Sequence, residues 1–123
     1  MADMTETGFD SITIQNLEEF GNIELNALTF GVIGFDVATT VSVYNNTEAQ
    51  LAGLDPSRVV GKPLFEVIAP CMNNFMVAQR FEDEPELDVT IPYVLTLRMR
   101  PTRVRMRLLA ASGTPRRYIL IER

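Results

Sequence analysis

The chain has 123 residues, 46% of them apolar, the size of one ordinary domain with enough apolar surface for a core without staples. It contains no histidine and a single cysteine, which removes histidine general bases, Ser-His-Asp and Cys-His nucleophiles, histidine-ligated haem, closed zinc sites and iron–sulfur clusters. A net charge of −5 speaks against a general nucleic-acid role, because phosphate binding draws on clustered positive charge.

The N-terminus, Met1-Ala2-Asp3-Met4-Thr5-Glu6-Thr7, is polar and acidic, with no basic region followed by an apolar one. No later apolar run approaches the ~20 residues of a membrane helix. The chain is therefore expected in the cytoplasm with no membrane partner, and a lone thiol suits that compartment. Residues 1–10 carry little hydrophobic pattern and read as a mobile arm. Asp10 or Ser11 is placed to cap a first helix in which Ile14, Leu17 and Phe20 fall near one face. Gly21 interrupts it, and Ile23-Glu24-Leu25 forms a second turn. The result is a small helical cap with Glu18, Glu19 and Glu24 on its outside.

Leu28 to Phe35 and Thr40 to Tyr44 are rich in strand formers and read as a hairpin. Residues 45–53 read as a short helix stopped by Gly53. Asp55-Pro56-Ser57 starts another, with Asp55 as cap and Pro56 at the first helical position. Leu64 to Ile68 makes a brief helix ended by Pro70, and Cys71 to Phe81 a longer amphipathic one. The acidic stretch Glu82 to Asp88 reads as a solvated loop.

A two-residue period follows. Ile91, Tyr93, Leu95, Leu97 and Met99 share one strand face, and Val94, Thr96 and Arg98 the other. Pro101-Thr102 turns the chain. Val104, Met106 and Leu108 alternate with Arg103, Arg105 and Arg107, and Ser112-Gly113-Thr114-Pro115 leads into a last strand, Tyr118 to Ile121. The order implies an α+β fold around one five-stranded antiparallel sheet. One sheet face is apolar and meets the short helices. The other carries arginines (Arg116 and Arg117 add to the set) and suits the acidic cap.

Two features could carry chemistry. Cys71 reads either as a small buried hydrophobe or as a thiol at a helix start, where amides favour the nucleophilic thiolate. Tyr44 and Glu48 read either as a packed tyrosine with an exposed glutamate, or as a phenol and carboxyl both aimed into the core. In the second case an unpaired glutamate must be protonated and hydrogen-bonded.

The run Tyr44-Asn45-Asn46-Thr47-Glu48, then Gly53-Leu54-Asp55-Pro56, Val60-Gly61-Lys62, Phe65 and Ala69-Pro70-Cys71, resembles the photoactive yellow protein family without a gap. Ala27-Leu28, Phe30-Gly31 and Ile33 upstream also fit. So do Tyr93, Met99, Pro101-Thr102 and Val104 downstream, given a short deletion in the acidic loop. The resemblance implies a PAS fold, with short helices on one sheet face and the helical cap on the other. Residues 1–26 would form the arm and cap and 27–123 the PAS core of one structural domain.

It further implies a blue-light photoreceptor of sensory transduction, not an enzyme, with p-coumaric acid (a 4-hydroxycinnamoyl thioester) attached to Cys71. Tyr44 and un-ionised Glu48 would donate hydrogen bonds to the buried phenolate. Ile33, Ala52, Leu54, Leu64, Ile68, Ala69, Pro70, Leu95, Leu97 and Met99 would line the pocket. Photoisomerisation, proton transfer from Glu48 and loosening of the cap would signal to a downstream protein from a monomer or weak homodimer. The sequence departs from the family at Ala52, usually threonine, and at Leu54, usually arginine. Leu64, Leu95 and Leu97 stand at often aromatic positions. These departures keep open a PAS ligand-sensing or dimerisation module without the coumaroyl group. An enzyme using Glu48 and Tyr44 as acid and base ranks behind both, and the Asn-Cys-Arg-Phe-type run of flavin-binding relatives is absent.

Overall fold

In a computed structural model describing residues 8–97 and 100–123, the strand-forming runs assemble into one antiparallel sheet. Its strands are β1 (Gly31–Phe35), β2 (Val41–Tyr44), β3 (Leu87–Leu97), β4 (Arg100–Ala111) and β5 (Thr114–Glu122), in the order β2-β1-β5-β4-β3. The first and last strands thus lie side by side, with Gly31 opposite Ile121 and Phe35 opposite Arg117. Central β5 is covered on both faces. Tyr118, Ile119, Leu120 and Ile121 are all buried, so the run is continuously apolar rather than alternating.

Alternate residues of β5 divide between two cores. Ile119 and Ile121 join Ile33, Phe35, Leu64, Phe65, Phe81, Met106 and Leu108 under the short helices, where Phe35 meets Phe65 and Phe81 edge to face at 5.5 and 5.0 Å. Tyr118 and Leu120 join Phe9, Ile12, Ile14, Leu17, Leu25 and Phe30 beneath the N-terminal cap. Among the described residues no helix is long and apolar enough to cross a membrane.

The cap contains α1 (Ile14–Glu19) and α2 (Asn22–Ala27). Its first helix is capped by Thr13, whose hydroxyl accepts from the Asn16 amide while the Asn16 side chain accepts from Thr13, and not by Asp10 or Ser11. Asp10 is committed elsewhere, to Arg105. Of the arm expected over residues 1–10, positions 1–7 lie outside the described residues, and the rest is anchored. Phe9 is only 4% exposed, edge-on to Phe30 and beneath the Arg105 guanidinium. A lone aromatic in a polar run leaves no periodic signal, so only its long-range partners reveal it.

The arginine face does receive the acidic cap. Arg105 pairs with Asp10 and Glu122, and Glu18 lies 3.6 Å from Arg116 while accepting from the Tyr118 hydroxyl. Burial, with Glu18 second, pushes the Tyr118 phenol up to about 12. Arg107 is buried at 6% exposure: Nε and Nη2 donate to the Asp88 carboxylate, and Nη1 donates to the carbonyls of Phe9 and Ile12 at 3.1 and 2.6 Å. Those hydrogen bonds hold the Asp88 carboxyl below the usual range. The exposed pairs are worth little individually. Arg107 differs, because it joins the cap backbone to the sheet from a buried position.

On the opposite side lie α3 (Asn46–Ala52), α4 (Pro56–Val59) and α5 (Ala78–Asp83). Asn45 and Asp55 cap α3 and α4 as residue type suggests, and Gly53 ends α3 at φ 74°. Leu64–Ile68 is a single π turn and Pro70–Met72 a single 3-10 turn. The amphipathic helix expected from Cys71 to Phe81 is broken: Asn74 Oδ1 accepts from the Met76 and Val77 amides, diverting the backbone before α5 begins. Helix α5 then runs to Asp83 and β3 starts at buried Leu87, so the acidic loop is only residues 84–86. Leu97 pairs with Arg100, which leaves Pro101 and Thr102 inside β4 rather than at the turn. Arg98, Met99 and the side chain of Leu97 lie outside the described residues.

Candidate functional site

Cys71 occupies the middle of the 3-10 turn Pro70–Met72 and is half-buried against the helix-side core. Its carbonyl oxygen accepts from the Tyr93 hydroxyl at 2.6 Å and from Asn74 Nδ2 at 3.2 Å, and Asn74 also donates to the Tyr93 oxygen at 2.7 Å. The turn is thereby fixed to the edge strand β3. The Cys71 side chain packs against the apolar cluster containing Tyr44, Ile33, Leu64, Ala69 and Leu95.

Tyr44 ends β2, with its backbone opposite Ile33. Asn45 follows as the pivot between sheet and helix. Its Oδ1 accepts from the amides of Val32 and Glu48, and its Nδ2 donates to the carbonyls of Leu25 and Phe30. Four bonds from one buried amide fix where α3 leaves the sheet. Glu48 in the first turn of α3 consequently points inward at 1% exposure.

At its end the carboxyl meets a partner the sequence did not suggest. Arg123, immediately after β5, donates Nη1 to Oε1 at 2.7 Å and Nη2 to Oε2 at 3.1 Å. Gly31 makes room: a Cβ there would stand 2.1 Å from Glu48 Oε1. Burial pushes the Glu48 carboxyl above the ordinary carboxylate range and Arg123 pulls it part of the way back. Burial first, and then the nearby Glu48 charge, also raises the Tyr44 phenol. The two groups are thus electrostatic neighbours in a poorly solvated site. The expectation of a carboxyl in the core holds for Glu48 burial. Its two-pronged bond to Arg123, however, is the pattern of an ionised carboxylate and not of an un-ionised donor.

Of the expected lining, Ile33, Leu64, Ala69 and Leu95 belong to the cluster around Tyr44, and Leu54 and Ile68 pack against it partly buried. Ala52 is buried but belongs to neither core cluster. Pro70 does not line the interior. It is exposed at the first position of the 3-10 turn, where its fixed φ shapes the backbone that presents Cys71. Leu97, by its side chain, and Met99 fall outside the described residues. Sequence reasoning missed Asn45 as a pivot, Gly31 as a cradle and Arg123 as a counter-charge. For Asn45 the signal was present, a capping residue directly after a strand. For the other two it lay only in the pairing of β1 with β5.

The site thus offers a half-buried thiol at the edge of an apolar cluster, a buried phenol and a buried carboxyl. The sheet order, helical wall and N-terminal cap define a PAS sensor domain, and the PAS fold family matches residues 20–121. Photoactive yellow protein from Rhodothalassium salexigens is 30% identical over 124 aligned residues, covering 98% of each chain. That from Halochromatium salexigens is 33% identical over 119, covering 94% of this chain and 95% of its own. The photoactive yellow protein domain of the sensor histidine kinase Ppr from Rhodospirillum centenum superposes with a TM-score of 0.82 at 32% identity, over 89% of this chain and 98% of that one. The chain therefore belongs to the photoactive yellow protein family of PAS domains. It is a photoreceptor of that kind or a PAS sensor.

Proposed function

We propose that the chain is a cytoplasmic blue-light photoreceptor, with no turnover chemistry of its own, that carries p-coumaric acid as a thioester on Cys71. The observation that carries the reading is that half-buried Cys71 and buried Tyr44 share one apolar cluster, with Glu48 buried in the first turn of the helix that follows Tyr44. When bound, the coumaroyl group supplies blue-light absorption, trans-to-cis isomerisation and an ionised phenolate able to take a proton. Tyr44 contributes a hydroxyl donor held neutral by burial. Glu48, turned from Arg123 and protonated, contributes the second donor and the transferable proton.

Once it has given up that proton, Glu48 is a carboxylate at a 1% exposed position, a poorly solvated charge that Arg123 offsets only in part. Release of the cap relieves that state, since the cap is held by ion pairs and carbonyl contacts from Arg105, Arg107 and Arg116. The exposed sheet face would then be read by a downstream signalling protein. Leu54 places no guanidinium over the pocket, so the absorption band and recovery rate should differ from those of arginine-bearing relatives.

The test is to mix the apo-protein with activated p-coumaric acid and record a spectrum and intact mass. A yellow product with the coumaroyl mass increment, absent in Cys71→Ala, supports the photoreceptor. No adduct supports the second reading, a PAS ligand-sensing or dimerisation module. One observation favours that alternative: Arg123 already satisfies Glu48 without any chromophore.

A further inference from the structure

The buried ion pair between Glu48 and Arg123 lies where the first and last strands meet. Strand β5 runs antiparallel to β1, with Ile121 opposite Gly31, and Arg123 follows two residues later. The Glu48 carboxyl rests on the Gly31 backbone, in space only glycine leaves open. Its main chain is fixed by the Asn45 cap, at 3.1 Å from the Glu48 amide to Oδ1. The Arg123 side chain is itself only 17% exposed, so neither charge is well hydrated.

Both carboxyl oxygens accept from the guanidinium. A protonated acid has just one oxygen free of its own proton, and the other would turn that proton toward an N–H donor. The pair therefore selects the carboxylate. Among the described residues, Tyr44 from the end of β2 and Arg123 from the end of β5 are the titratable groups facing Glu48, and β1 brings Gly31 against it. Arg123 carries the one positive charge among them.

We propose that Arg123 is a positioning residue that captures Glu48 in its deprotonated form, so that Glu48 is a proton donor when turned from Arg123 and a resting anion when paired with it. The inference rests on Glu48 serving as the proton donor of the proposed photoreceptor. In that cycle the Glu48 O–H bond breaks, the proton goes to the phenolate, and the electron pair stays on the carboxylate that Arg123 receives. Arg123 thereby prolongs the state in which Glu48 is ionised. Its return to the neutral acid requires breaking both guanidinium bonds.

The first test uses the apo-protein. The Glu48 carboxylic C=O infrared band, assigned by its loss in Glu48→Gln, is followed across pH in wild type, Arg123→Gln and Arg123→Lys. The expected result is an upward shift of the Glu48 midpoint in R123Q and a smaller one in R123K, where a point charge replaces the fork. A midpoint in R123Q that is unchanged or lowered overturns the proposal. Should R123Q fail to fold by circular dichroism, R123K decides alone, a raised midpoint supporting and an unchanged one overturning. In coumaroyl-loaded protein, R123Q should recover several-fold faster after a flash, and a trace matching wild type overturns the capture role. Failure to form the adduct would sink the photoreceptor reading and leave the apo titration standing. A normal adduct with an unmoved titration would sink the Arg123 role alone.

Discussion

The Tyr93 hydroxyl hydrogen-bonds the Cys71 carbonyl at 2.6 Å, so the edge strand β3 positions the chain's one thiol through its backbone. Asn74 closes the triangle by donating to both oxygens. A short 3-10 turn has little stability of its own. Here its register depends on a residue 22 positions away.

Tyr93→Phe removes that donor and leaves Asn74 as the remaining partner of the Cys71 carbonyl. The expected loss is about 1 kcal/mol of stability, measured by urea unfolding. Thiol labelling of Cys71 by a disulfide reagent should also accelerate several-fold, because the turn is freed to open. Labelling at the wild-type rate would show that Tyr93 does not govern access to the thiol.

Arg107 is the buried link between cap and sheet. Arg107→Ala leaves the carbonyls of Phe9 and Ile12 without that donor and frees Asp88. The expected cost is about 2–3 kcal/mol, at the charged end of hydrogen-bond values. The loss should be local: amide exchange in residues 9–19 rises before that of β4 and β5. Uniform acceleration across the sheet would contradict a cap-specific tether.

Much of this architecture was legible from local pattern. Strands β3 to β5 announce themselves by alternation or apolar runs, and Asn45, Asp55 and Gly53 mark helix ends by chemistry that acts within a few residues. The pairing of an acidic cap with an arginine face was legible from charge asymmetry, though not which arginine would be buried. Local pattern fails where a side chain spends its bonds at long range. Phe9 was invisible because its partners, Phe30 just before β1 and Arg105 on β4, lie far along the chain. The broken helix after Cys71 reflects Asn74 bonding its neighbours' amides, which outweighed an amphipathic spacing. At the site, Cys71, Tyr44 and Glu48 were identifiable by resemblance. The counter-charge was not, since Arg123 reaches Glu48 only through the β1–β5 register.

Asn45 makes four hydrogen bonds from a buried side chain, two as acceptor and two as donor. Asn45→Ala should therefore cost about 2–4 kcal/mol, since several buried backbone groups lose partners together. Asn45→Asp preserves both acceptors and loses both donors, so the ionised variant sets a carboxylate against the carbonyls of Leu25 and Phe30. Its stability should recover as pH falls and the aspartate protonates. An Asn45→Asp variant as stable as wild type at neutral pH would refute the pivot.

Gly31→Ala places a methyl 2.1 Å from Glu48 Oε1, which the carboxyl must vacate. Overpacking of this kind costs about 1–3 kcal/mol. In a Glu48→Ala background most of the clash is gone, so the same substitution should cost much less. A double-mutant cycle over these two positions measures the coupling. Additive losses would mean that the strain at Gly31 comes from somewhere other than Glu48.

The pH dependence of stability reports Glu48 directly. Its folded carboxyl titrates above the ordinary value of 4.5, chiefly through burial and against the pull of Arg123. In the window between the two values the folded chain holds a proton that the unfolded chain has lost. Stability contributed by the group is therefore full below the unfolded value and falls as pH rises through the folded one. Asp88 has the opposite sign, with stability lost as acid protonates it, but it titrates equally in wild type and Glu48→Gln. The difference in unfolding free energy between those two proteins, measured from acid to neutral pH, isolates Glu48. Loss of the Arg123 partner in Glu48→Gln adds only a constant offset. Wild type should lose ground to Glu48→Gln as pH rises through the carboxylate range and then level off. A gap that widens in favour of wild type would mean that Arg123 more than repays the burial of the charge.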